Sequence, residues 1–319
     1  MATYTRLTQN DIQKIAGNYN LKIIKFAPIE GGNGNSSYKL TSQTGKYVLT
    51  VCDDKTLDEV TVMGKLLLLL EQHDFPCTRV IPSVNNDLIT LFKDKPVMLK
   101  GYIEGCVFES LDSQMLVQLG AETAKLNQIP APNYLPTEHP YGRSYFPQVI
   151  SLNIDTKYES WLKKQIDDLK RELSPDLPRA LIHGDLFFDN LLFDKTNFNA
   201  IIDFEEACHY YRVFELGMAI IGTCVEDTKV DLEKASALVQ GYQQIIELEL
   251  IEKKSLQIFV QYAATATSYW RFDKYNIDSP EADKANMHWQ MVKLAKAISE
   301  IPSKDFVHAV FKRTGQTAR

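Results

Sequence analysis

The stretch RALIHGDLFFDNLLFDKTNFNAIIDFEEA, residues 179–207, decides the fold of this 319-residue chain. Its second half contains two apolar runs, LLF and AIID, separated by polar residues, and they predict a β-hairpin that turns at 194–199. Asn190 stands just before the first run, and Asp203 ends the second. Because an antiparallel return places the start and the end of a hairpin side by side, we expect these two side chains at one end of it.

Ahead of the hairpin, an apolar run at 180–182 predicts a strand that leads through His183 to Asp185. Two carboxylates and one amide oxygen would then meet at one edge, a set that suits a hard divalent cation shared with phosphate groups. We expect Asn190 and Asp203 to hold Mg²⁺, and Asp185 to accept the proton of an attacking hydroxyl. His183 has no further ligand residue in register, so we expect it to hydrogen-bond backbone groups and hold the loop in shape.

Outside this stretch, the pattern of apolar residues changes near residue 103. Before it, β-branched and aromatic runs between turn residues predict one helix at 58–73 and strands at 21–30, 38–42, 46–53, 88–93 and 96–103. After it, longer periodicities predict helices at 111–127, 156–173, 228–250, 252–272 and 283–299. The sequence therefore predicts an α+β protein of two domains. They are a small antiparallel β lobe at 1–103 and a large, mainly helical lobe at 104–319 that carries the catalytic hairpin.

A glycine-rich segment, EGGNGNSS at 30–37, connects the first two predicted strands. It lacks the Gly-Lys-Ser/Thr ending of a P-loop, and it joins strand to strand where a dinucleotide-binding fold joins strand to helix. Such a segment alone is most often a plain hairpin turn. Ahead of a magnesium-type site, however, its exposed backbone N–H groups favour phosphate binding. The residues that we expect to contact the nucleotide are Gly32, Asn33, Gly34, Asn35 and Ser36.

The composition excludes several classes of function. Lys and Arg number 35 against 41 Asp and Glu, and the net charge of −6 argues against a nucleic-acid partner. Five scattered cysteines without a CxxC pair argue against a disulfide framework or a cysteine-built zinc site. The N-terminus has no signal-peptide pattern, and the longest apolar run, at 66–70, is far shorter than the roughly 20 residues of a membrane span. We expect a cytoplasmic protein without a membrane partner.

The segments HGDLFFDN at 183–190 and IIDF at 201–204 resemble the catalytic and metal-binding segments of the phosphotransferases related to aminoglycoside and choline kinases. That superfamily has a bilobal protein-kinase-like fold, and the resemblance covers nearly the whole chain, from the glycine-rich segment to about residue 300. It implies ATP as the phosphate donor and Mg²⁺ as the metal, with Asp185 as the catalytic base and the residues named above as the metal ligands.

Within the superfamily, the chain looks closest to the bacterial-type homoserine kinases. That branch pairs Val-Leu-Thr on its third strand with an Asp-Phe-x-x-Ala-Cys segment, and residues 48–50 and 203–208 match both here. The resemblance also implies a backbone hinge that receives the adenine ring, at Gly101, Tyr102 and Ile103.

One position departs from the superfamily pattern. Thr50 stands where most of these kinases have a lysine that pairs with the nucleotide phosphates and with a helix glutamate, which Glu59 matches here. Lys39 on the neighbouring strand, or Lys46 on the same face, could supply the missing charge, although both also suit ordinary surface lysines. Glu59 equally suits a first-turn acid that the helix dipole favours.

Residues after the metal aspartate and on the late helices are expected to line the acceptor pocket. Carboxylates there suit an ammonium group, guanidinium forks suit a carboxylate, and an indole ring could wall the pocket. The candidates are Glu205, Glu206, Arg212, Trp270 and Arg271. Plainer explanations exist for two of them. Arg212 stands three residues before Glu215 on a predicted helix, a spacing that suits an ion pair, and Trp270 also suits core packing.

We therefore predict an ATP- and Mg²⁺-dependent kinase that phosphorylates the hydroxyl of a small metabolite, with homoserine as the first choice of acceptor. The alternatives within this chemistry are choline or ethanolamine, methylthioribose, and an aminoglycoside. Choline would call for an aromatic cage, which the sequence does not show clearly. A nucleotide-binding pseudoenzyme is a further alternative, which Thr50 favours and the intact catalytic stretch opposes. GTP in place of ATP, and the oligomeric state, remain open.

Overall fold

An antiparallel sheet of five strands forms the N-terminal part of the chain in this computed structural model, which describes residues 5–29 and 34–312. Its elements are α1 (Gln9–Gly17), β1 (Ile23–Pro28), β2 (Asn35–Ser42), β3 (Lys46–Cys52), α2 (Leu57–Gln72), β4 (Thr90–Phe92) and β5 (Lys95–Gly101). The strands lie in the order β1-β2-β3-β5-β4, and every neighbouring pair is antiparallel. The predicted strand and helix segments of this part are therefore confirmed; four of the strands are shorter than predicted, β2 extends back to Asn35, and α2 lies one residue earlier.

The two faces of this sheet differ in character. Side chains alternate along β2, so Tyr38 and Leu40 lie on one face and Ser37 and Lys39 on the other. The first face belongs to a hydrophobic core that it shares with α1. That core includes Ile12, Ile15, Leu40, Leu49, Val51, Val97 and Leu99. Ser37 pairs with Thr50 across the β2–β3 ladder, which puts Thr50 on the second, more polar face.

The rest of the chain is mainly helical. Its helices are α3 (Ser113–Gln128), α4 (Thr156–Glu172), α5 (Arg212–Thr223), α6 (Leu232–Gln243), α7 (Leu250–Asp273), α8 (His288–Glu300) and α9 (Ser303–Val310). Short strands interrupt them: β6 (Arg179–Ile182), β7 (Leu191–Asp194), β8 (Asn197–Ile201), β9 (Cys208–Tyr211), β10 (Val225–Glu226) and β11 (Lys229–Val230). β6 pairs with β9, β7 with β8, and β10 with β11.

The chain divides into two compact units. One extends to Gly105 and also includes Asn199–Asp203, and the other comprises Cys106–Phe198 and the chain from Phe204 onward. These units describe packing, and the domain boundary that the sequence indicates at residue 103 stays a prediction. Within the described ranges, no helix has both the length and the apolar character that crossing a bilayer requires.

The helix predicted at 228–250 is wrong at both ends. Residues 225–230 form the small β10–β11 hairpin, which turns at Asp227 with a positive φ of 56°. Asp231 then caps α6 by accepting hydrogen bonds from two backbone N–H groups of the first turn, and the helix ends at Gln243. The apolar periodicity continued across these boundaries because the hairpin and the α6–α7 connection are also partly buried.

The C-terminal helices also differ from the prediction. The helix predicted at 283–299 begins only at His288. It is followed by α9, a helix that the sequence did not predict. Phe306 and Val310 of α9 are buried. A short amphipathic segment at the end of a chain has a weak periodic signal, so tertiary burial decides whether it is helical.

Candidate active site

The loop between β6 and β7 carries the predicted catalytic residues. After β6 the chain turns at Gly184, passes Asp185 and enters a 3-10 turn that ends at Asn190. Gly184 has a positive φ of 84°, and a Cβ atom there would lie 2.7 Å from the carbonyl oxygen of Glu206 and 2.9 Å from Nε2 of His139. Only glycine fits this position, because both the backbone angle and the space exclude a side chain.

Glu215 of α5 holds the backbone of this loop in place. It is fully buried, and its carboxylate accepts hydrogen bonds from the backbone N–H of His183 at 2.6 Å and of Gly184 at 2.9 Å. Burial raises the pKa of Glu215 to about 7, although the two N–H groups favour its ionised form. The expectation that Glu215 pairs with Arg212 is therefore wrong, since Glu215 binds backbone donors of His183 and Gly184.

The Asp185 carboxylate is held at both of its oxygens. Nδ2 of Asn190 donates to Oδ2 at 3.2 Å and to the Asp185 carbonyl oxygen at 2.9 Å. The hydroxyl of Tyr141 donates to Oδ1 at 3.0 Å. The structure confirms that His183 binds backbone, because its Nδ1 accepts from the N–H of Asp185 at 3.2 Å. Tyr141 is a residue that sequence reasoning missed: it lies 44 positions before Asp185, outside any motif or regular element.

The predicted hairpin is present as β7 and β8, with a tight turn at Lys195 and Thr196 instead of one spanning 194–199. Asn190 directly precedes β7, and Asp203 follows β8 by two residues, so both stand at the open end of the hairpin. Asp203 has a positive φ of 66°, a conformation that non-glycine residues rarely adopt and that often marks a functional position.

The donor chemistry at this end suits a hard cation. Because Nδ2 of Asn190 is turned toward Asp185, its amide oxygen is the end available to a metal. Among the described residues there is no group of three or more His, Cys, Asp or Glu side chains that could hold a metal by itself. A cation here would thus have one amide and one carboxylate ligand from the hairpin and would keep positions for water and phosphate, as Mg²⁺ prefers.

The predicted phosphate-binding segment is only partly described. Gly32 and Asn33 lie outside the described residues, and Gly34 has a positive φ of 91°. Asn35 already belongs to β2, so the predicted turn at 30–37 is too long at its C-terminal end.

The side chain of Ser36 is engaged within the protein. It is buried, and its hydroxyl donates to Oδ2 of Asp53 at 2.5 Å. Lys95 and the hydroxyl of Thr5 donate to Oδ1 of the same carboxylate, each at 2.5 Å. Burial alone would raise the pKa of Asp53, but these hydrogen bonds lower it below its usual range. The Ser36 hydroxyl is therefore engaged within the protein, and the contact of Ser36 with the nucleotide stays a prediction.

Thr50 is buried on β3, on the same face as Lys39. Nζ of Lys39 lies 3.8 Å from the centre of the Tyr102 ring, a cation–π contact. Lys46, the other lysine considered for the missing charge, pairs with Glu104 at 2.5 Å where both side chains are exposed. Of the two lysines, Lys39 is therefore the one that the sheet holds beside Thr50 without a carboxylate partner of this kind.

Glu59 has a local role in α2. Its carboxylate accepts hydrogen bonds from the hydroxyl and the backbone N–H of Thr56, both at 2.7 Å, and these form a capping box. The same hydrogen bonds lower the pKa of Glu59. These contacts fit the alternative role of Glu59 as a first-turn acid, and its role toward the nucleotide stays a prediction.

In the predicted hinge, two of the three backbone N–H groups donate hydrogen bonds within the protein. The N–H of Gly101 donates to the carbonyl of Arg79 at 2.8 Å, and that of Tyr102 donates to the carbonyl of Lys46 at 3.1 Å. Within the described part of the chain, Ile103 is the member of this trio whose N–H has no backbone acceptor. An adenine ring would therefore meet a backbone donor at Ile103.

Arg212 is committed to a partner within its own unit. Its guanidinium forms a two-armed ion pair with Glu252 of α7, with Nε and Nη2 at 2.7 Å and 2.6 Å from the carboxylate oxygens. Glu252 is fully buried, so the pair ties α5 to α7. The Glu252 carboxylate occupies the guanidinium fork, which argues against a substrate role for Arg212, and that role stays a prediction.

Three aromatic rings pack in a row that begins at Tyr141, the residue that binds Asp185. The ring of Trp270 lies 6.5 Å from that of Tyr141 and 5.8 Å from that of Tyr275. Arg271 donates to Gln290 Oε1 at 3.1 Å; burial lowers its pKa, and the negative charge of Asp185 acts in the opposite direction. At the end of α7, Arg271 thus lies close enough to Asp185 for their charges to interact, and Trp270 lies beside Tyr141.

The other two acceptor candidates lie on a short 3-10 turn, Phe204–Glu206. Glu205 and Glu206 are both half-buried there. The charge of Glu206 contributes, with burial as the larger cause, to raising the pKa of Tyr141, so Glu206 faces the same group of side chains.

Comparisons with known proteins identify the family of this chain. Residues 25–248 match the model of the phosphotransferase enzyme family (APH). A homoserine kinase of Rhizobium meliloti (strain 1021) is 23% identical over 275 residues, which cover 83% of this chain and 84% of that protein.

Two solved structures share the fold. The microcompartment-associated aminopropanol kinase superposes with a TM-score of 0.72 at 18% identity, covering 94% of this chain and 99% of its own. The amicoumacin kinase hAmiN, in complex with AMP-PNP, Ca²⁺ and Ami, gives a TM-score of 0.72 at 15% identity, covering 92% and 94%. The predicted α+β protein-kinase-like fold is thereby confirmed.

Proposed function

Because the chain belongs to the phosphotransferase enzyme family, we propose that it transfers the γ-phosphoryl group of ATP to the hydroxyl of a small amino alcohol, with homoserine as the first candidate. The name of the Rhizobium relative supports this acceptor, and the aminopropanol kinase supports the wider class of amino alcohols. The acceptor and the metal are the proposed parts of this assignment.

The observation that carries the proposal is that hydrogen bonds fix both oxygens of the Asp185 carboxylate. A general base must present one carboxylate oxygen to the acceptor hydroxyl in line with the phosphorus atom. Tyr141 and Asn190 bind the two oxygens of Asp185, and Gly184 and Glu215 fix the loop behind it. A carboxylate fixed in this way is suited to take the proton as the acceptor oxygen attacks.

The nucleotide side of the proposal rests on four residues of the hairpin and the sheet. Asn190 and Asp203 would hold Mg²⁺, which when bound neutralises charge on the phosphates. Ile103 would donate its N–H to the adenine ring. Lys39 would supply the positive charge that Thr50 lacks, since it lies on the same face of the sheet, with its amine over the Tyr102 ring and its charge acting on Glu104.

Homoserine presents an ammonium and a carboxylate beside its hydroxyl. Arg271 offers a half-buried guanidinium whose charge interacts with Asp185, and it suits the carboxylate. Glu205 and Glu206 offer negative charge to the ammonium, and Trp270 provides an apolar wall. An acceptor with both charges would use both kinds of residue.

A second candidate is an amino alcohol without a carboxylate. The rings of Tyr141, Trp270 and Tyr275 lie in a row that begins beside Asp185, and aromatic faces bind ammonium groups by cation–π attraction. Such an acceptor would use the rings and would make no use of Arg271.

Coupled ADP release with Mg·ATP tests these candidates. The panel is homoserine, aminopropanol, ethanolamine, choline, methylthioribose and kanamycin, each with the wild type and with Arg271→Met. If homoserine is the acceptor, the variant should raise its KM about 10- to 100-fold, because a hydrogen bond between charged groups is worth about 1.5–3 kcal/mol. The KM of aminopropanol should not change.

The outcomes separate the two candidates. Turnover of homoserine that depends on Arg271 supports the first, and turnover of aminopropanol or ethanolamine independent of Arg271 supports the second. Absence of turnover across the panel, with nucleotide binding intact, would contradict both acceptors and leave the pseudoenzyme as the better description.

A further inference from the structure

Tyr141 belongs to the irregular segment between α3 and α4, and its side chain is 7% exposed. Its hydroxyl lies 3.0 Å from Oδ1 of Asp185 and 3.4 Å from the carbonyl oxygen of Gly184. A phenol has one proton to donate, so only one of these two acceptors can receive it fully.

His139 decides between the two acceptors. Its Nε2 lies 3.0 Å from the same Gly184 carbonyl, and its ring packs edge-on against Tyr141 at 4.2 Å. Because a carbonyl oxygen only accepts, Nε2 of His139 carries the proton and donates it. Burial lowers the pKa of His139 to about 3, so the ring is neutral, and its Nδ1 has no hydrogen-bond partner in the described part of the structure, which fits an unprotonated nitrogen better than a buried N–H.

The phenol proton of Tyr141 is directed to Asp185, because Oδ1 of this carboxylate lies nearer than the Gly184 carbonyl, which already accepts from His139. Burial, with the nearby charges of Asp185 and Glu206, raises the pKa of Tyr141 well above its ordinary value. The hydroxyl consequently remains a donor at every pH at which the protein would work. Asn190 binds the opposite oxygen, so two donors from separate parts of the chain define the plane of the carboxylate.

We propose that Tyr141 is a positioning residue for phosphoryl transfer, which holds the Asp185 carboxylate in the orientation that receives the acceptor proton. This inference rests on the proposed function. In the reaction, the acceptor oxygen forms its bond to the γ-phosphorus as the bond to the β-phosphate oxygen breaks, and the electron pair leaves with ADP. The acceptor proton passes to Asp185, and Tyr141 keeps its own.

The test compares side chains at position 141 that are similar in size but differ in whether they carry a hydrogen-bond donor. We expect Tyr141→Phe to lower kcat about 10-fold and to leave the KM of Mg·ATP within about twofold, since the nucleotide does not touch this hydroxyl. Genetically encoded 4-aminophenylalanine at 141 keeps a donor and should restore most of kcat. 4-Methylphenylalanine has the same size without a donor and should not, and this pair leaves no cavity that could unfold the protein.

Tyr210→Phe is the matched control. Tyr210 is buried in the same aromatic group, 6.3 Å from His139, and its hydroxyl bonds to that of Tyr262 at 3.0 Å. This variant loses a buried hydroxyl that does not reach Asp185, so its kcat should equal that of the wild type even if its stability falls.

A double-mutant comparison shows whether Tyr141 acts through Asp185. In an Asp185→Asn background, Tyr141→Phe should change the residual kcat by less than about twofold. If Asp185→Asn abolishes turnover but Tyr141→Phe and 4-methylphenylalanine leave kcat unchanged, or if the two losses multiply, the inference is wrong while the proposed function stands. A wild type without turnover, and with no response to Asp185→Asn, would overturn both.

Discussion

Asp185 and Asp203 carry different parts of the proposed reaction, and substitution should separate them. Asp185→Asn removes the base and should lower kcat by about 10²–10⁴-fold, while Mg·ATP binds almost as before. Asp203→Asn removes a charged metal ligand and should weaken Mg·nucleotide binding itself. Titration calorimetry with Mg·AMP-PNP and steady-state kinetics measure the two effects. Asp194→Asn, at the exposed end of β7, is the control, and equal loss of binding in both variants would contradict the division of roles.

Glu215 should make the stability of the protein depend on pH. Its pKa of about 7 in the folded state exceeds the unfolded value of 4.5, so the folded state binds this proton more tightly. Its contribution to stability is present in full below pH 4.5 and is lost as the pH rises to 7 and above, a change of the order of 3 kcal/mol.

The Glu215→Gln variant tests this pH dependence. It cannot titrate, so the difference in free energy of unfolding between wild type and variant should be larger at pH 5 than at pH 8. Urea unfolding at both values measures it. A difference that is the same at pH 5 and pH 8 would show that Glu215 does not titrate in this range.

Helices α3 and α6 pack so closely that the backbone of one helix touches the backbone of the other. A Cβ at Gly120 of α3 would lie 2.0 Å from the carbonyl oxygen of Leu238, and one at Gly241 of α6 would lie 2.0 Å from that of Val117. Both carbonyl oxygens belong to the main chain of a helix and cannot move aside as a flexible side chain would. The two glycines therefore permit a close approach that no other residue allows.

Gly241→Ala should lower the free energy of unfolding by about 3 kcal/mol, because an overpacked helix interface must shift its backbone. Gly17→Ala is the control: it lies at the end of α1, and a Cβ there would meet no atom within 4 Å. Since alanine favours helix over glycine, Gly17→Ala should cause no loss. Denaturant unfolding measures both, and equal stability of the two variants would contradict the close approach of α3 and α6.

For the chain as a whole, nucleotide binding should appear as a gain in stability. At a concentration of about 100 times Kd, Mg·AMP-PNP should stabilise the folded protein by about 2.7 kcal/mol. The gain should shrink when EDTA removes Mg²⁺ and in Asp203→Asn, since metal and phosphates share one site in the proposal. Thermal unfolding with and without each component measures it. A gain that does not depend on Mg²⁺ would contradict the proposed metal ligands.

Local patterns in the sequence were enough for the architecture. The alternation along 35–52 and the hairpin after Asn190 depend on neighbours in the chain, so strands and their pairing follow from period and turn residues. The same holds for the link between His183 and the Asp185 backbone, two residues apart. Boundaries such as that of 228–250 were wrong because burial outside a helix also produces apolar periodicity.

Tertiary structure alone decided which side chains meet. Arg212 pairs with Glu252, 40 positions away, instead of the nearby Glu215, and Glu215 serves the backbone of the catalytic loop. Tyr141 reaches Asp185 from a segment without periodicity. Spacing along a chain predicts contacts only within one element or between neighbouring strands. A partner that lies dozens of residues away depends on how the elements pack, and that is a property of the folded chain.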